Sequence, residues 1–324
     1  MKTRILLAYA GDGDVSWAVR QLSEVYGAEI VTLTLDLGQG RDLEEIRDRA
    51  LAAGAVRAHV LDVREEFARD FVLPALQAGV SQTGPASFAV ALGQPLLARK
   101  LVEISAIETA TSMAHLEVGE DRKRLEACLA ALDEKVRSIA MADETGPSVR
   151  VQANVWGRVR LATTSPKTLD TPASVEVSFD RGVPTAINGV SMALTELIES
   201  LSTIGGRHGV GRIALAGQVG QGDADPSRSS RVYEAPAAVI LHTAHRALEM
   251  AVVPPELIRI QRDQAVTYAQ LVYDGRWFTD TRKLLDAFSA TVQPMVTGTV
   301  CIKLFGGELL SACVVERRVA VSHS

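Results

Sequence analysis

The sequence predicts an α/β protein: a doubly wound parallel sheet in residues 1–145, followed by an α+β domain in residues 146–324. Over residues 1–141, short apolar runs alternate with helical patterns, which is typical of a parallel sheet with helices on both faces. The apolar runs are continuous because parallel strands are buried on both sides. A polar stretch with Gly and Pro, residues 143–148, then marks the expected boundary between the two domains.

The first domain is predicted element by element. Residues 5–10 form an apolar first strand, and residues 16–26 place Trp17, Leu22 and Val25 near one helical face, with Ser16 as the expected capping residue. Residues 29–35 alternate with β-branched residues and predict a second strand. Further strands are predicted at 59–63, 109–115 and 136–141, and further helices at 43–53, 65–76, 96–105 and 121–132. Ligands bind beyond the carboxyl ends of such strands, so the loop after the first strand is the first candidate site.

The second domain mixes strands and helices without strict alternation. Residues 174–180 and 183–187 predict a hairpin, since Arg181-Gly182 joins them and Asn188-Gly189 turns the chain again. Helices are predicted at about 193–204, 237–250, 264–274 and 279–291, and residues 296–318 predict two strands around Phe305–Glu308. The loop 217–231 is polar and rich in Gly and Ser, and we expect it to be mobile.

Composition excludes several classes of protein. The 324 residues are 47% hydrophobic and 23% charged, which is typical of a globular protein. A net charge of −5 argues against a nucleic-acid binder. Three cysteines without Cys-x-x-Cys spacing make a disulfide framework or a zinc knuckle unexpected, and the apolar N-terminal run is too short for a membrane span. We therefore expect a cytoplasmic protein that binds neither nucleic acid nor membrane.

The segment AYAGDGDVS at residues 8–16 joins the first strand to the first helix. Gly11 and Gly13 permit a tight turn that directs backbone N–H groups at an anion near the helix N-terminus, although an ordinary strand-to-helix turn is the alternative. Asp12 and Asp14 would repel a phosphate by about 4 kcal/mol per close pair at an effective dielectric of about 20. Either Mg²⁺ bridges these carboxylates to the phosphate, or the loop no longer binds one.

Other polar residues allow two interpretations each. Asp36 follows the second strand, where it could contact an adenosine or cap the turn at Leu37-Gly38. His242 and His245 could share a helical face as metal ligands, but no third ligand has a matching spacing, so a structural role is favoured. We expect Arg122 and Lys123 to be solvated. Trp156 and Trp277 are expected in the core or at an interface.

Several segments of the chain resemble the argininosuccinate synthase family of N-type ATP pyrophosphatases. The resemblance covers nearly the whole chain, and its segments are 36–55, 62–76, 95–104, NVWGR at 154–158, YEAPAAVILHTAHRALE at 233–249, YAQLVYDGRWF at 268–278 and VTGTVCIKL at 296–304. It implies an adenine nucleotide alpha hydrolase-like first domain and a synthetase-like second domain. It also implies a ligase of amino acid metabolism: ATP activates the ureido oxygen of citrulline as an adenylate, and the amine of aspartate displaces AMP.

The sequence departs from the family pattern in the phosphate loop. The family's Ser-Gly-Gly-x-Asp-Thr-Ser aligns with residues 10–16, where Gly11, Asp14 and Ser16 match. Ala10 and Val15 each lack a hydroxyl group that the family has, and Asp12 replaces a glycine. The resemblance implies that the cofactor-binding set is Ala10, Gly11, Asp12, Gly13, Asp14, Val15, Ser16 and Asp36. Within this set, Asp12 and Asp14 would bind the metal, and Asp14 would be catalytic.

More departures fall on the substrate side. Two family tyrosines align with Gln82 and Ala86. Leu116 replaces a glycine, and a Thr-Gly-Lys-Gly-Asn-Asp stretch is shortened to Val118-Gly119-Glu120-Asp121. Two family serines align with Arg150 and Val159, and a pocket Glu with Gly217. Arg124 and Tyr233 persist, so the resemblance implies that Arg124 binds a substrate carboxylate and that Tyr233 orients it. The predicted substrate-binding residues are Gln82, Leu116, Val118, Asp121, Arg124 and Tyr233.

Two hypotheses follow from these departures. The first is an AMP-forming C–N ligase that uses ATP and Mg²⁺ on amino-acid-like substrates other than, or altered from, citrulline plus aspartate. Ala86, Val90, Leu116 and Val118 then predict an acceptor less polar than citrulline. The second is a pseudoenzyme, a non-catalytic scaffold or binding protein that has lost ATP chemistry. The resemblance implies a homo-oligomer, either a dimer or a tetramer. Part of the family's middle insertion and the C-terminal arm that embraces neighbouring subunits are missing, which argues against the tetramer.

Overall fold

A computed structural model describes residues 3–11, 15–40, 42–80, 88–135, 137–141, 153–161, 169, 171–215 and 231–317. The helices and strands follow one another in the order β1 (Arg4–Ala8), α1 (Ser16–Tyr26), β2 (Glu29–Asp36), α2 (Leu43–Ala52), β3 (Arg57–Asp62), α3 (Arg64–Phe67), α4 (Leu73–Gln77), α5 (Phe88–Glu108), β4 (Ser112–His115), α6 (Gly119–Leu132), β5 (Ser138–Ala140), β6 (Ala153–Asn154), β7 (Gly157–Leu161), β8 (Ala173–Asp180), β9 (Val183–Ile187), β10 (Val190–Ser191), α7 (Leu194–Arg207), β11 (Arg212–Leu215), β12 (Arg231–Glu234), α8 (Pro236–Val252), α9 (Pro255–Tyr273), α10 (Asp280–Val292), β13 (Gly298–Phe305) and β14 (Glu308–Arg317). A π-helical turn, Ala68–Val72, precedes α4, and a 3₁₀ turn, Gln293–Met295, follows α10.

Contacts between residues divide the chain into two units. The first contains Met1–Phe67, Ala91–Asn154 and Leu271–Thr279, and the second contains Ala68–Val90, Val155–Gln270 and Asp280–Ser324. The domain boundary expected near residue 145 falls in 142–150, outside the described residues, and stays a prediction.

A parallel sheet of five strands, in the order β3-β2-β1-β4-β5, forms the centre of the first unit. This confirms the predicted parallel α/β architecture. One apolar cluster packs β1 and β2 against α1 and α2, and its members include Leu7, Val19, Leu22, Ile30 and Ile46. Burial of such side chains stabilises the unit by about 25 cal/mol per Å² of apolar surface removed from water.

The second unit is built on an antiparallel sheet in the order β10-β9-β8-β13-β14. The predicted hairpin at Arg181-Gly182 and the pair of strands around Phe305–Glu308 are both confirmed. Val175, Val177, Val300 and Ile302 are buried on the face of this sheet against which α8 packs. Strands β11, β12 and β7 also pair antiparallel in that order, and the sequence patterns did not predict them.

Several predicted boundaries are wrong. The helix expected at 65–76 is divided by the π-helical turn, and the helix expected at 96–105 spans Phe88–Glu108 although Pro95 lies inside it. The helix expected at 264–274 begins at Pro255. The loop 217–231 lies outside the described residues, apart from Arg231 at the start of β12.

A buried polar network crosses the core of the second unit. His245 of α8 contacts Glu249 Oε1 through Nδ1 at 3.4 Å and Gln293 Oε1 through Nε2 at 2.8 Å. Burial opposes the charged imidazole, but the carboxylate and the glutamine hold the pKa of His245 above its ordinary value. Gln261 donates to the same Glu249 oxygen at 2.6 Å, and His242 Nε2 lies 3.1 Å from the carbonyl of Gly79. Both histidines therefore have structural partners.

This network predicts unequal costs for two turn glycines. Gly182 and Gly189 both have left-handed backbones, with φ of +74° and +78°, so an alanine costs roughly 1–2 kcal/mol of strain at either position. A Cβ at Gly182 would also lie 2.7 Å from Gln293 Cδ, whereas one at Gly189 meets nothing within 4 Å. We expect Gly182→Ala to lower the free energy of unfolding, measured in urea, by about 2 kcal/mol more than Gly189→Ala, because Gln293 must leave its buried partners. If the two variants lose the same free energy of unfolding, the hydrogen bonds of Gln293 do not contribute measurably to stability.

Candidate functional site

Two hydrogen bonds to β2 hold the backbone of Tyr9, the first residue after β1. The Tyr9 N–H donates to the carbonyl of Leu33 at 2.9 Å, and Thr34 Oγ1 donates to the carbonyl of Tyr9 at 2.7 Å. Tyr9 and Thr34 are both buried. A threonine within β2 thus satisfies the backbone of the loop that follows β1.

Gly11 is the turning point of this loop. It is buried with φ of +82°, a left-handed conformation that favours glycine, and Arg49 Nη2 donates to its carbonyl at 3.0 Å. The preceding Ala10 is exposed. Arg49 was not predicted from the sequence, because nothing in the pattern of an exposed helix indicates a bond to a loop carbonyl. Asp12, Gly13 and Asp14 lie outside the described residues, so their assignment to phosphate and Mg²⁺ stays a prediction.

Helix α1 begins immediately after this loop. Val15 is its N-cap residue, with φ of −79°, and makes no side-chain cap. The prediction that Ser16 caps the helix was wrong, because Ser16 lies one position further, as the first helical residue. The first turn of α1 contains no acidic residue. The positive end of the helix dipole, which favours an anion, therefore faces the loop without a carboxylate of its own turn.

Asp36 at the end of β2 takes the turn-capping role. Its Oδ1 accepts from the N–H of Gly38 at 2.9 Å, and its Oδ2 lies 3.6 Å from Arg64 Nε. A contact with adenosine stays a prediction.

Arg124 on α6 is held by neighbours within its own unit. Its side chain is 6% exposed, Nε donates to the carbonyl of Tyr273 at 2.8 Å, and Nη1 makes a short ion pair with Asp121. The guanidinium carbon also lies 5.9 Å from the centre of the Tyr273 ring, in reach of a cation–π interaction. The structure thus brings together two predicted substrate-binding residues, Arg124 and Asp121, as partners of each other.

The segment that Arg124 holds, Leu271–Thr279, contacts α6 at a second point. Cys128 Sγ donates to the carbonyl of Gly275 at 3.2 Å, and burial raises the pKa of Cys128 to about 12, which makes this thiol unreactive. Gly275 has φ of +69°, and a Cβ there would lie 2.5 Å from the carbonyl oxygen of Arg124. The sequence placed Trp277 of this segment in the core or at an interface but predicted no contact with α6, because Arg124 and Cys128 both bond to backbone carbonyls there.

The apolar replacements after β4 have different surroundings. Leu116 packs against the apolar cluster of β1 and α1, whereas Val118 is the N-cap residue of α6 and is 57% exposed. Arg122 and Lys123 are exposed on the next turn, and each pairs with a glutamate of the same helix. Their predicted solvation is confirmed.

Tyr233 lies in the second unit, and its expected role in orienting a substrate stays a prediction. It is buried in β12 opposite Val159 of β7, and a Cβ at Gly157 would lie 2.8 Å from its hydroxyl oxygen. The following residue, Glu234, is paired with Arg158 Nε at 2.9 Å and Arg212 Nε at 3.2 Å.

Val90, another residue predicted to line the substrate pocket, is also buried in the second unit. Gln82, Ala86, Arg150 and Gly217 lie outside the described residues.

Trp156 and Trp277 are buried, as predicted for core residues. In the part of the chain that the structure describes, no three His, Cys, Asp or Glu side chains are grouped so that they could hold a metal ion. No helix in that part has the length and hydropathy needed to cross a membrane.

Comparisons with known proteins cover both parts of the chain. The model of the arginosuccinate synthase N-terminal HUP domain matches residues 4–153, and that of the arginosuccinate synthase C-terminal domain matches residues 133–322. The chain is 37% identical to an argininosuccinate synthase of Symbiobacterium thermophilum, over 94% of this chain and 86% of the relative. It is 35% identical to one of Streptococcus suis, over 98% and 88%, and 34% identical to one of Caldanaerobacter subterraneus, over 95% and 85%.

The contacts of Arg124 predict an effect on stability in the absence of any ligand. Arg124→Met leaves the carbonyl of Tyr273 and the carboxylate of Asp121 without this largely buried donor, so we expect the free energy of unfolding to fall by about 2–4 kcal/mol. Arg122→Met removes the same charge from an exposed position of α6 and should cost less than about 0.5 kcal/mol. Urea denaturation of both variants measures the difference. If Arg124→Met is as stable as the wild type, the guanidinium does not anchor Leu271–Thr279.

Proposed function

Because this chain belongs to the argininosuccinate synthase family, we propose that it is an AMP-forming C–N ligase whose substrate pair is altered from citrulline plus aspartate. ATP would supply the activation of one substrate, and the protein would bind and orient the reacting groups. Positioning of two reactants accounts for a large part of the rate enhancement in such reactions.

The geometry after β1 carries this proposal. Gly11 adopts the left-handed turn, Arg49 holds its carbonyl, and the first turn of α1 carries no acidic residue. A strand followed by a glycine turn and a helix N-terminus favours a phosphate group. These observations support binding of the phosphates of ATP at this helix N-terminus, where Ser16 would lie beside them and Asp12 or Asp14 would hold the Mg²⁺.

The altered substrate is proposed from the residues after β4. Leu116 and Val118 offer no side-chain hydrogen bond, and two nitrogens of Arg124 already have partners. In our proposal, a substrate carboxylate displaces Asp121 from Nη1 of Arg124, while the bond from Nε to the carbonyl of Tyr273 stays. A polar acceptor such as citrulline gains little from Leu116 and Val118, so we propose a less polar acceptor.

Calorimetric titration with ATP, with and without Mg²⁺, tests the nucleotide part of this proposal. We expect Mg²⁺-dependent binding with a Kd below about 1 mM. AMP release is then measured with citrulline plus aspartate and with a panel of less polar ureido and carboxylate acceptors. Absence of heat at millimolar ATP in both conditions would contradict the ligase and favour the non-catalytic scaffold. Full activity with citrulline plus aspartate would contradict only the altered substrate.

The Asp12→Gly variant distinguishes the two roles open to this carboxylate. If Asp12 helps to hold Mg²⁺, the variant should bind ATP about 10-fold more weakly in Mg²⁺, a loss of about 1.4 kcal/mol. Asp48→Asn removes the same charge from an exposed position of α2 and serves as the control for net charge. Tighter binding of ATP by Asp12→Gly would instead identify Asp12 as the obstacle to a phosphate.

A further inference from the structure

Two of the three cysteines face each other across the last pair of strands. The register of β13 and β14 places Cys301 directly opposite Cys313, between Val300 opposite Val314 and Ile302 opposite Ala312. Val300 and Ile302 point into the core, so the two cysteines lie on the other face of the sheet. Both are free thiols; Cys313 is exposed and Cys301 is half-buried.

This register suits a covalent bond between the two sulfurs. Directly opposite residues of an antiparallel pair have Cα atoms about 4.5 or 5.5 Å apart, depending on the hydrogen-bonding pattern. Both separations fall within the roughly 4.4–6.8 Å that disulfides span. The strands therefore need no rearrangement of register to bring the two sulfurs into bonding range.

We propose that Cys301 and Cys313 form a reversible dithiol–disulfide site whose oxidant is a low-molecular-weight disulfide. The more accessible Cys313 thiolate attacks one sulfur of the oxidant and releases the first small thiolate. The Cys301 thiolate then attacks the Cys313 sulfur of the mixed disulfide and releases the second one. The two cysteines lose two protons and two electrons, and the oxidant is reduced to two thiols.

A bond here would tie β14 to its neighbour. β14 is the outermost strand of this sheet among the described residues, and Arg317 at its end donates to the carbonyl of Ala251 on α8 at 3.4 Å. The disulfide would close a loop over the turn at Gly306-Gly307 and restrict the unfolded chain. A metal site is not favoured, since among the described residues no third His, Cys, Asp or Glu completes a ligand set here.

Peptide mapping of the full-length protein tests the proposal. Trypsin cleaves after Lys283, Lys303 and Arg317, so Cys301 and Cys313 fall in separate peptides, 284–303 and 304–317. After incubation with oxidised glutathione and alkylation of free thiols, we expect these two peptides to stay linked until a reductant is added. Buried Cys128 should remain a thiol and serves as the internal control.

Single variants identify the order of the two steps. Cys301→Ser should stop at a mixed disulfide of glutathione with Cys313, and Cys313→Ser should react at least 10-fold more slowly than the wild type. Oxidation should raise the melting temperature of the wild type by about 3–6 °C and of neither variant. Stable glutathione adducts on the wild-type protein, or disulfides between two molecules, would overturn the proposal.

Discussion

The first unit depends on one constraint: the central strands of its parallel sheet, β1, β2 and β4, are buried on both faces, so a polar group within them needs an internal partner. Within β2, the hydroxyl of Thr34 is buried because it donates to the Tyr9 carbonyl. Gly11, Asp36 and His115 lie at or just beyond the carboxyl ends of the strands. At the amino ends, the buried Glu108 pairs with Arg4 of β1 and Arg57 of β3. The Thr34 hydroxyl thus satisfies the carbonyl of the first residue after β1, at the point where the candidate phosphate loop begins.

The sequence predicted β1 because a strand buried on both faces is a continuous apolar run, and it predicted β2 from alternation with β-branched residues. The bounds predicted for α1, 16–26, are those of the structure, where Gly27 ends the helix in a left-handed conformation. The start of α5 was missed because Gly93 and Pro95 interrupt the pattern, whereas tertiary packing keeps the helix intact. Strands β7, β11 and β12 are short and rich in arginine, and ion pairs to Glu234 account for some of that charge. Short strands with so many charged residues show no regular alternation of apolar and polar residues, so the sequence pattern did not reveal them.

The candidate site was harder to predict than the fold. The acceptor of Arg124 is a backbone carbonyl 149 residues further along the chain, and any residue type supplies a carbonyl. The same reason applies to Arg49 and Gly11. Residue identity suggested that Arg124 would meet a carboxylate, and the structure supplies one from Asp121, a single turn away on the same helix. The sequence alone does not say whether Arg124 pairs with a carboxylate of the protein or with one of a substrate.

The irregular pairing of β14 has a consequence for the behaviour of the protein in concentrated solution. The register between β13 and β14 shifts twice, and the shifts leave Leu310 and Val315 as extra, exposed residues. A long, flat, apolar edge strand would be a template for aggregation through edge-to-edge pairing. Bulges twist such an edge and interrupt its row of regularly spaced backbone groups. The exposed leucine and valine can therefore be tolerated at this edge, where a regular strand of the same composition would make the protein prone to form fibrils.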